Sequence, residues 1–119
     1  MIQRFLAALG WVVLAFIVYA TLCPIGSRPE VANVHWEHFA AFALLGLAFA
    51  GAYPSRMGFA ILIVMGSALL LELAQLVTVD RHARLIDAMV KECGGLCGIV
   101  AGWLACTLAR SQSMAAKPR

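Results

Sequence analysis

Apolar residues form long runs along this chain, and polar residues are confined to short stretches between the runs. A helix needs about 20 mostly apolar residues to span the hydrocarbon core of a bilayer. Four runs meet or approach that length, at about residues 5–23, 36–52, 57–77 and 86–109. The pattern predicts an all-α membrane protein, a bundle of four transmembrane helices with short loops in a single domain, residues 1–110.

Turn-forming residues mark the ends of the predicted helices. Pro24, Gly26 and Pro29 fall in the first connection, and Pro54 marks a tight second turn. The polar residues 111–119 are predicted to form a cytoplasmic tail. The alternative for the first run is a signal peptide, but the run exceeds the usual apolar length of about 7–15 residues and no A-x-A cleavage site closes it. We therefore interpret it as a retained helix.

The composition indicates that the bilayer is the solvent of this chain. The 119 residues are 63% hydrophobic and 13% charged, whereas a soluble domain carries about a quarter charged residues. The net charge of +3 comes mostly from the two chain ends. Because the basic residues form no stripe interleaved with aromatics, we predict no nucleic-acid partner.

Lysine and arginine predict the orientation. With four spans, one side of the membrane carries Arg4, Arg56, Arg110, Lys117 and Arg119. The other side carries Arg28, Arg81 and Arg84, with Lys91 just inside the last helix. This bias places both termini in the cytoplasm. All six acidic residues and all three histidines then fall in the outer half.

Glu72 lies deepest in an apolar run, six residues or about 9 Å before Thr78, where the third connection begins. A carboxylate that faces lipid costs at least a few kcal/mol, so we expect Glu72 to face the bundle interior. Gln75 follows on the same helical face. The two residues form either a functional site, with His38 and Asp87 as the expected neighbours, or a structural contact between helices.

The predicted fourth helix begins with charged and small residues on one face. Asp87 and Lys91 have the spacing of a favourable helical ion pair, and Asp87 is placed where the helix dipole favours negative charge. Gly94, Gly98 and Gly102 follow at a spacing that lets membrane helices approach closely. We interpret the glycines as helix-packing residues, whose neighbour is another helix of the chain or a second copy in a homo-oligomer.

His38, Arg81 and Arg84 complete the set of candidate site residues. His38 can titrate near neutral pH, which would let it exchange protons with Glu72. Arg81 and Arg84 fall in the third connection, where their guanidinium groups suit phosphate or carboxylate ligands; the alternative is a solvated charged loop. The order H-x-E-H after Val34 is not a metalloprotease motif, and we predict neither a metal site nor a cofactor.

These motifs resemble the VanZ-like family of membrane proteins. The stretch HFAAFALLG, residues 38–46, is similar to the family's second helix, and ELAQ, residues 72–75, matches its E-x-x-Q on the third helix. The segment 81–98 matches its R…D-x-x-x-N-x-x-G-x-x-x-G through Arg81, Asp87, Gly94 and Gly98. The resemblance covers about residues 24–102. The chain departs from the family at Lys91, where Asn is common, and at Val34-His35, where Asp-Lys is common.

The resemblance implies a function at the cell envelope. The family takes its name from a protein linked to low-level teicoplanin resistance, so the implied location is the bacterial inner membrane. The cluster of polar residues at the predicted outer end leads us to predict binding or modulation of an anionic lipid, a lipid-linked wall precursor or an amphiphilic glycopeptide at that face, in contact with membrane lipids. The predicted ligand-binding residues are His38, Glu72, Gln75, Arg81, Arg84, Asp87 and Lys91.

Two alternatives remain from other functional classes. One is a small intramembrane enzyme that acts on a lipid-linked substrate, with Glu72 as general acid or base and His38 or Asp87 as its partner. The other is proton-coupled transport. The sequence shows no clear nucleophile, so we rank binding before catalysis.

Overall fold

The computed structural model describes residues 1–23, 34–77 and 85–116. It contains helices α1 (Ile2–Leu22), α2 (Val34–Ala52), α3 (Met57–Val77) and α4 (Leu85–Ala115). The described residues contain no β-strand. The prediction of an all-α fold with four helices is confirmed for this part of the chain.

Three of the four helices, α1, α3 and α4, are long and apolar enough to cross a membrane, judged within the described residues. Helix α2 does not meet this criterion, so the predicted four spans are confirmed only in part. The first turns of α2 carry His35, Glu37 and His38. Its apolar part is therefore shorter than the about 20 residues that a span needs.

Helix α2 is the central helix of the bundle. Its most extensive contact is with α4 and its next with α1, while α3 packs against both α4 and α2. The side chains of Phe42, Leu45 and Phe49 on α2 are fully buried. Because much of the surface of α2 contacts other helices instead of lipid, this helix tolerates polar residues in its first turns.

The outward faces of the other three helices are apolar. Large exposed side chains on these faces include Phe5, Val12 and Phe16 on α1, Leu62, Leu69 and Leu70 on α3, and Val100, Trp103 and Leu108 on α4. An apolar surface of this extent would promote association in water. In a bilayer it is the surface that contacts lipid, so the exposed residues, like the three spans, indicate a membrane protein.

Glycines bring α2 and α4 into close contact along what we call the glycine seam. A Cβ atom at Gly94 would overlap the backbone carbonyl of Phe39, and one at Gly98 would overlap that of Ala43. Close approach of this kind is how small residues pack membrane helices, where no hydrophobic effect drives association.

The seam continues towards the C-terminal half of α4. A Cβ atom at Gly102 would lie 2.7 Å from the Cβ of Ala50, and Gly46 on α2 faces the backbone of Gly95. The neighbour of the glycine repeat is therefore α2 of the same chain. Contact between two copies through these glycines would require α2 to move away.

Helix α4 is longer than predicted. The sequence predicts a tail from residue 111, but α4 continues to Ala115. The hydroxyl of Ser111 donates a hydrogen bond of 2.8 Å to the carbonyl of Leu108, and Gln112 is a good helix former. The change to polar residues indicates where α4 loses its apolar character, not where the helix ends, so the predicted helix end was wrong.

Candidate functional site

The charged residues divide between the two ends of the bundle. The end where α2 and α4 begin and α3 finishes carries every described acidic residue, namely Glu37, Glu72, Asp87 and Glu92. We call it the acidic end. The opposite end, which we call the basic end, carries Arg4, Arg56 and Arg110.

Glu72 on α3 and Lys91 on α4 form a buried ion pair at the acidic end. The Nζ of Lys91 donates a hydrogen bond to Oε1 of Glu72. Lys91 is fully buried, and Glu72 is 6% exposed. A charge in the interior of a bundle needs a partner to offset its lost solvation. Each residue here supplies that partner for the other and joins α3 to α4.

This pairing differs from the one that the sequence pattern predicts. The spacing of Asp87 and Lys91 favours a pair within α4, whereas Lys91 bonds to Glu72 on the neighbouring helix. The signal that identifies the observed pair is depth. At about 1.5 Å per residue, Glu72 lies about 7.5 Å from the end of α3 and Lys91 about 9 Å from the start of α4. Opposite charges at similar depths on consecutive antiparallel helices are placed to meet.

The second carboxylate oxygen of Glu72 is a buried acceptor without a described donor. Oε2 is inaccessible to solvent and accepts no hydrogen bond from any described residue. Gln75, on the same face of α3, is also buried at 7% exposure. An unsatisfied buried polar group costs about 1–3 kcal/mol, and a charged one costs more. A donor brought to this oxygen would remove that penalty.

Asp87 and His35 link α4 to α2 nearer the surface. Nδ1 of His35 lies 3.1 Å from Oδ1 of Asp87, and the two side chains are 44% and 17% exposed. The contact is an ion pair when the imidazole is protonated. Asp87 lies in the first turn of α4, where the helix dipole favours a carboxylate. His35 was not among the predicted ligand-binding residues, although its position one turn before His38 placed it at this end.

The remaining predicted residues have the following positions. His38 is half-buried on α2. Arg81 and Arg84 lie outside the described residues. The structure therefore places Glu72, Gln75, Asp87 and Lys91 at the same end of the bundle. Glu72 pairs with Lys91, and Asp87 pairs with His35, which was not predicted. Gln75 lies on the same face of α3 as Glu72 and belongs to neither pair.

Two polar side chains of α3 that could take part in catalysis already have hydrogen-bond partners within the bundle. The hydroxyl of Ser67 on α3 donates a hydrogen bond of 2.9 Å to the carbonyl of Val64 on its own helix. Lys91 occupies one oxygen of Glu72. Among the described residues, no three histidine, cysteine or acidic side chains form a group that could hold a metal ion.

Comparisons with known proteins return no match. No family model matches the sequence, and no curated protein and no solved structure matches the chain. The resemblance to VanZ-like proteins therefore rests on the motifs quoted above and stays a prediction.

Proposed function

We propose that this chain is a VanZ-like, multi-pass membrane protein that binds the polar group of an amphiphile at its acidic end. The ligand classes are an anionic lipid, a lipid-linked wall precursor and an amphiphilic glycopeptide. The observation that carries the proposal is the buried Oε2 of Glu72, which has no donor among the described residues. An intramembrane ionisable group of this kind is a functional-site candidate by default.

Hydroxyl or amide donors of the ligand would bind at Oε2 of Glu72. Gln75 can add one donor and one acceptor from the same helix face. Arg81 and Arg84, which lie outside the described residues, would bind the anionic group through their guanidinium forks. The ion pair with Lys91 keeps the Glu72 carboxylate in place while the ligand approaches.

In this proposal all four helices cross the membrane, and α2 does so while packed against the other three. The basic end faces the cytoplasm, because basic residues are retained on that side. Both termini are then cytoplasmic, and the acidic end faces the cell envelope. The contacts of α2 with all three other helices support its inclusion as a fourth span, since a helix that is partly covered by protein tolerates a shorter apolar stretch.

Catalysis by Glu72 ranks below binding. Oε2 could accept a proton from a substrate as well as a hydrogen bond, but no second acid–base group among the described residues is hydrogen-bonded to it. No described contact favours proton-coupled transport.

The orientation can be tested with cysteine labelling in a background without native cysteines. Ser55→Cys lies in the turn at the basic end, and Leu85→Cys lies at the exposed start of α4. In intact cells whose outer face is accessible, a membrane-impermeant maleimide should label Leu85→Cys at once and Ser55→Cys only after lysis. The reverse pattern would overturn the orientation, and equal labelling would show that α3 does not span.

Ligand binding can be tested with the double variant Glu72→Met/Lys91→Met. Replacing both members of a buried ion pair by apolar residues of similar size is often neutral for stability. In nanodiscs of zwitterionic lipid, the affinity of the variant for labelled teicoplanin or a labelled lipid-linked wall precursor should be at least about tenfold lower than that of the wild type. Loss of one charge-assisted hydrogen bond accounts for a change of this size.

Gln112→Met is the control, because it replaces an exposed polar side chain near the C-terminal end of α4 and should leave this binding unchanged. Wild-type affinity in a stably folded Glu72→Met/Lys91→Met variant would refute the proposal. So would the absence of binding of all three ligand classes to the wild-type protein.

A further inference from the structure

An apolar groove of about 360 Å³ opens at the basic end between α1 and α4. Within the described residues these two helices do not pack against each other. Leu6 on α1, Leu47 and Gly51 on α2, and Ala105 on α4 line the groove. A Cβ atom at Gly51 would lie 2.8 Å from the side chain of Leu6, so the glycine lets Leu6 pack closely against α2 beside the groove.

A second depression of about 340 Å³ adjoins the groove. Arg4, Tyr53 and Arg56 line it. Gln3 and Pro54 line both the depression and the groove, so the two are neighbours. Arg110 lines the groove itself. The apolar groove thus adjoins a depression whose charged lining residues are arginines.

The positive charge at this end is not balanced by acidic residues. Arg4, Arg56 and Arg110 are exposed, and the described acidic residues all lie at the opposite end. Guanidinium groups bind phosphate oxygens with paired hydrogen bonds. The combination of an apolar groove and several arginines matches a molecule that has an apolar chain and a phosphate.

We propose that the groove and the adjoining depression form one binding site for an anionic phospholipid. An acyl chain lies in the groove between α1 and α4, and the lipid phosphate contacts Arg4, Arg56 and Arg110. The groove volume falls within the range of about 300–1,000 Å³ typical of ligand sites. This site is separate from the amphiphile site at the acidic end, and its occupant is a bulk membrane lipid.

The apolar groove distinguishes a phospholipid from a free anion. Inorganic phosphate could contact the arginines, but it would gain nothing from Leu6 or Leu47. The groove also lies beside the apolar outer surface of α1 and α4, so a lipid chain can enter it from the bilayer without crossing water. The site therefore depends on headgroup charge and on acyl chain together.

The headgroup contribution can be tested by native mass spectrometry of the full chain released from detergent. Phosphatidylglycerol and phosphatidylcholine with identical acyl chains are the probes. We expect the wild-type protein to retain phosphatidylglycerol in preference to phosphatidylcholine. The affinity for phosphatidylglycerol should fall about fivefold for each arginine replaced, from single variants to the triple variant Arg4→Gln/Arg56→Gln/Arg110→Gln. The corresponding arginine-to-lysine variants keep the charge and should retain most of the preference.

The acyl-chain contribution can be tested with a pair of neighbouring residues on α4. Ala105→Phe places an aromatic ring in the groove and should displace the retained lipid. Leu104→Phe is the matched control, because Leu104 is exposed but does not line the groove. Glycerol phosphate and inorganic phosphate, offered instead of the lipid, should not bind at matched concentration.

Equal retention of the two lipids by the wild-type protein would overturn the proposal. Unchanged retention in the triple glutamine variant, or equal effects of Ala105→Phe and Leu104→Phe, would do so as well. Size-exclusion profiles and helical content identify any variant that does not fold, and the lysine series then supplies the headgroup result. All these changes are at the basic end, so their outcome is independent of ligand binding at Glu72.

Discussion

The two ends of this bundle use charge in opposite ways. At the acidic end, Glu72 and Lys91 are buried and paired across α3 and α4, and Asp87 and His35 join α4 to α2. At the basic end, the arginines are exposed, and α1 and α4 leave a groove between them.

The difference shows how position decides what a charge does in a membrane protein. A charge inside the bundle must be neutralised by a neighbouring helix, so it contributes to the specificity of packing. A charge at the surface keeps its solvation and remains available to anionic headgroups. The charges at the acidic end therefore join neighbouring helices, whereas the basic end presents its charges outward.

Loss of one partner of the buried pair should have the largest effect on stability. Lys91→Met leaves the Glu72 carboxylate buried without its donor, and we expect the free energy of unfolding to fall by about 3–5 kcal/mol. Unfolding in mixed micelles, followed by far-ultraviolet circular dichroism, measures it. The double variant Glu72→Met/Lys91→Met should recover to within about 1 kcal/mol of wild type.

Arg110→Met provides the same chemical change at the basic end and should alter stability little, since the side chain is exposed. If Lys91→Met and Arg110→Met had equal effects, the contrast between the two ends would be wrong. If the double variant were as unstable as Lys91→Met, the buried pair would not account for the loss.

A methyl group in the glycine seam should have an intermediate effect. In Gly98→Ala the added Cβ meets the backbone carbonyl of Ala43, which cannot rotate away as a side chain can. We expect a loss of roughly 1–3 kcal/mol, as for overpacked cores. Gly66→Ala on α3 is the matched control, because nothing lies within 4 Å of the added atom. Its stability should change by less than about 1 kcal/mol.

The same unfolding assay compares the two alanine variants. Equal stabilities would show that α2 and α4 can move apart to accommodate the methyl group without cost. The close contact at Gly98 would then not stabilise the bundle.

The contact between Asp87 and His35 should have the smallest effect. Both side chains keep some access to water, and pairs of this kind contribute less than about 1 kcal/mol. Asp87→Asn should therefore lower stability slightly at low salt, and 1 M salt should remove much of the difference because its Debye length is about 3 Å. A loss as large as that of Lys91→Met would place Asp87 in the buried network instead.

The helices of this protein were predictable because bilayer thickness sets their length. Helix α3 occupies Met57–Val77, the range that its apolar run predicts. The end of α4 at Ala115 was not predictable in this way. Hydropathy indicates which residues contact lipid, but it carries no information on whether the backbone stays helical outside the membrane.

Which helices pack together was less accessible to sequence reasoning. Helices α1 and α3 carry apolar side chains on nearly every face, so no polar stripe indicates which face contacts a neighbouring helix. The glycine repeat identified the packing face of α4 but not its partner, which is α2. Glu72 was correctly expected to face the bundle interior, yet its pairing with Lys91 depends on the relative rotation of two helices.

The similar depths of Glu72 and Lys91 also bear on how the chain enters the membrane. An unpaired charge in a spanning helix opposes insertion, by about 2.5–3.5 kcal/mol at the helix centre and by less at the depth of Glu72 and Lys91. Helices α3 and α4 would each meet that barrier if they left the translocation machinery one at a time. Entering together as a hairpin, they can neutralise each other before either contacts lipid. We therefore expect α3 to wait beside the translocon until α4 has been synthesised, so the ion pair acts during biogenesis before it acts in the mature bundle.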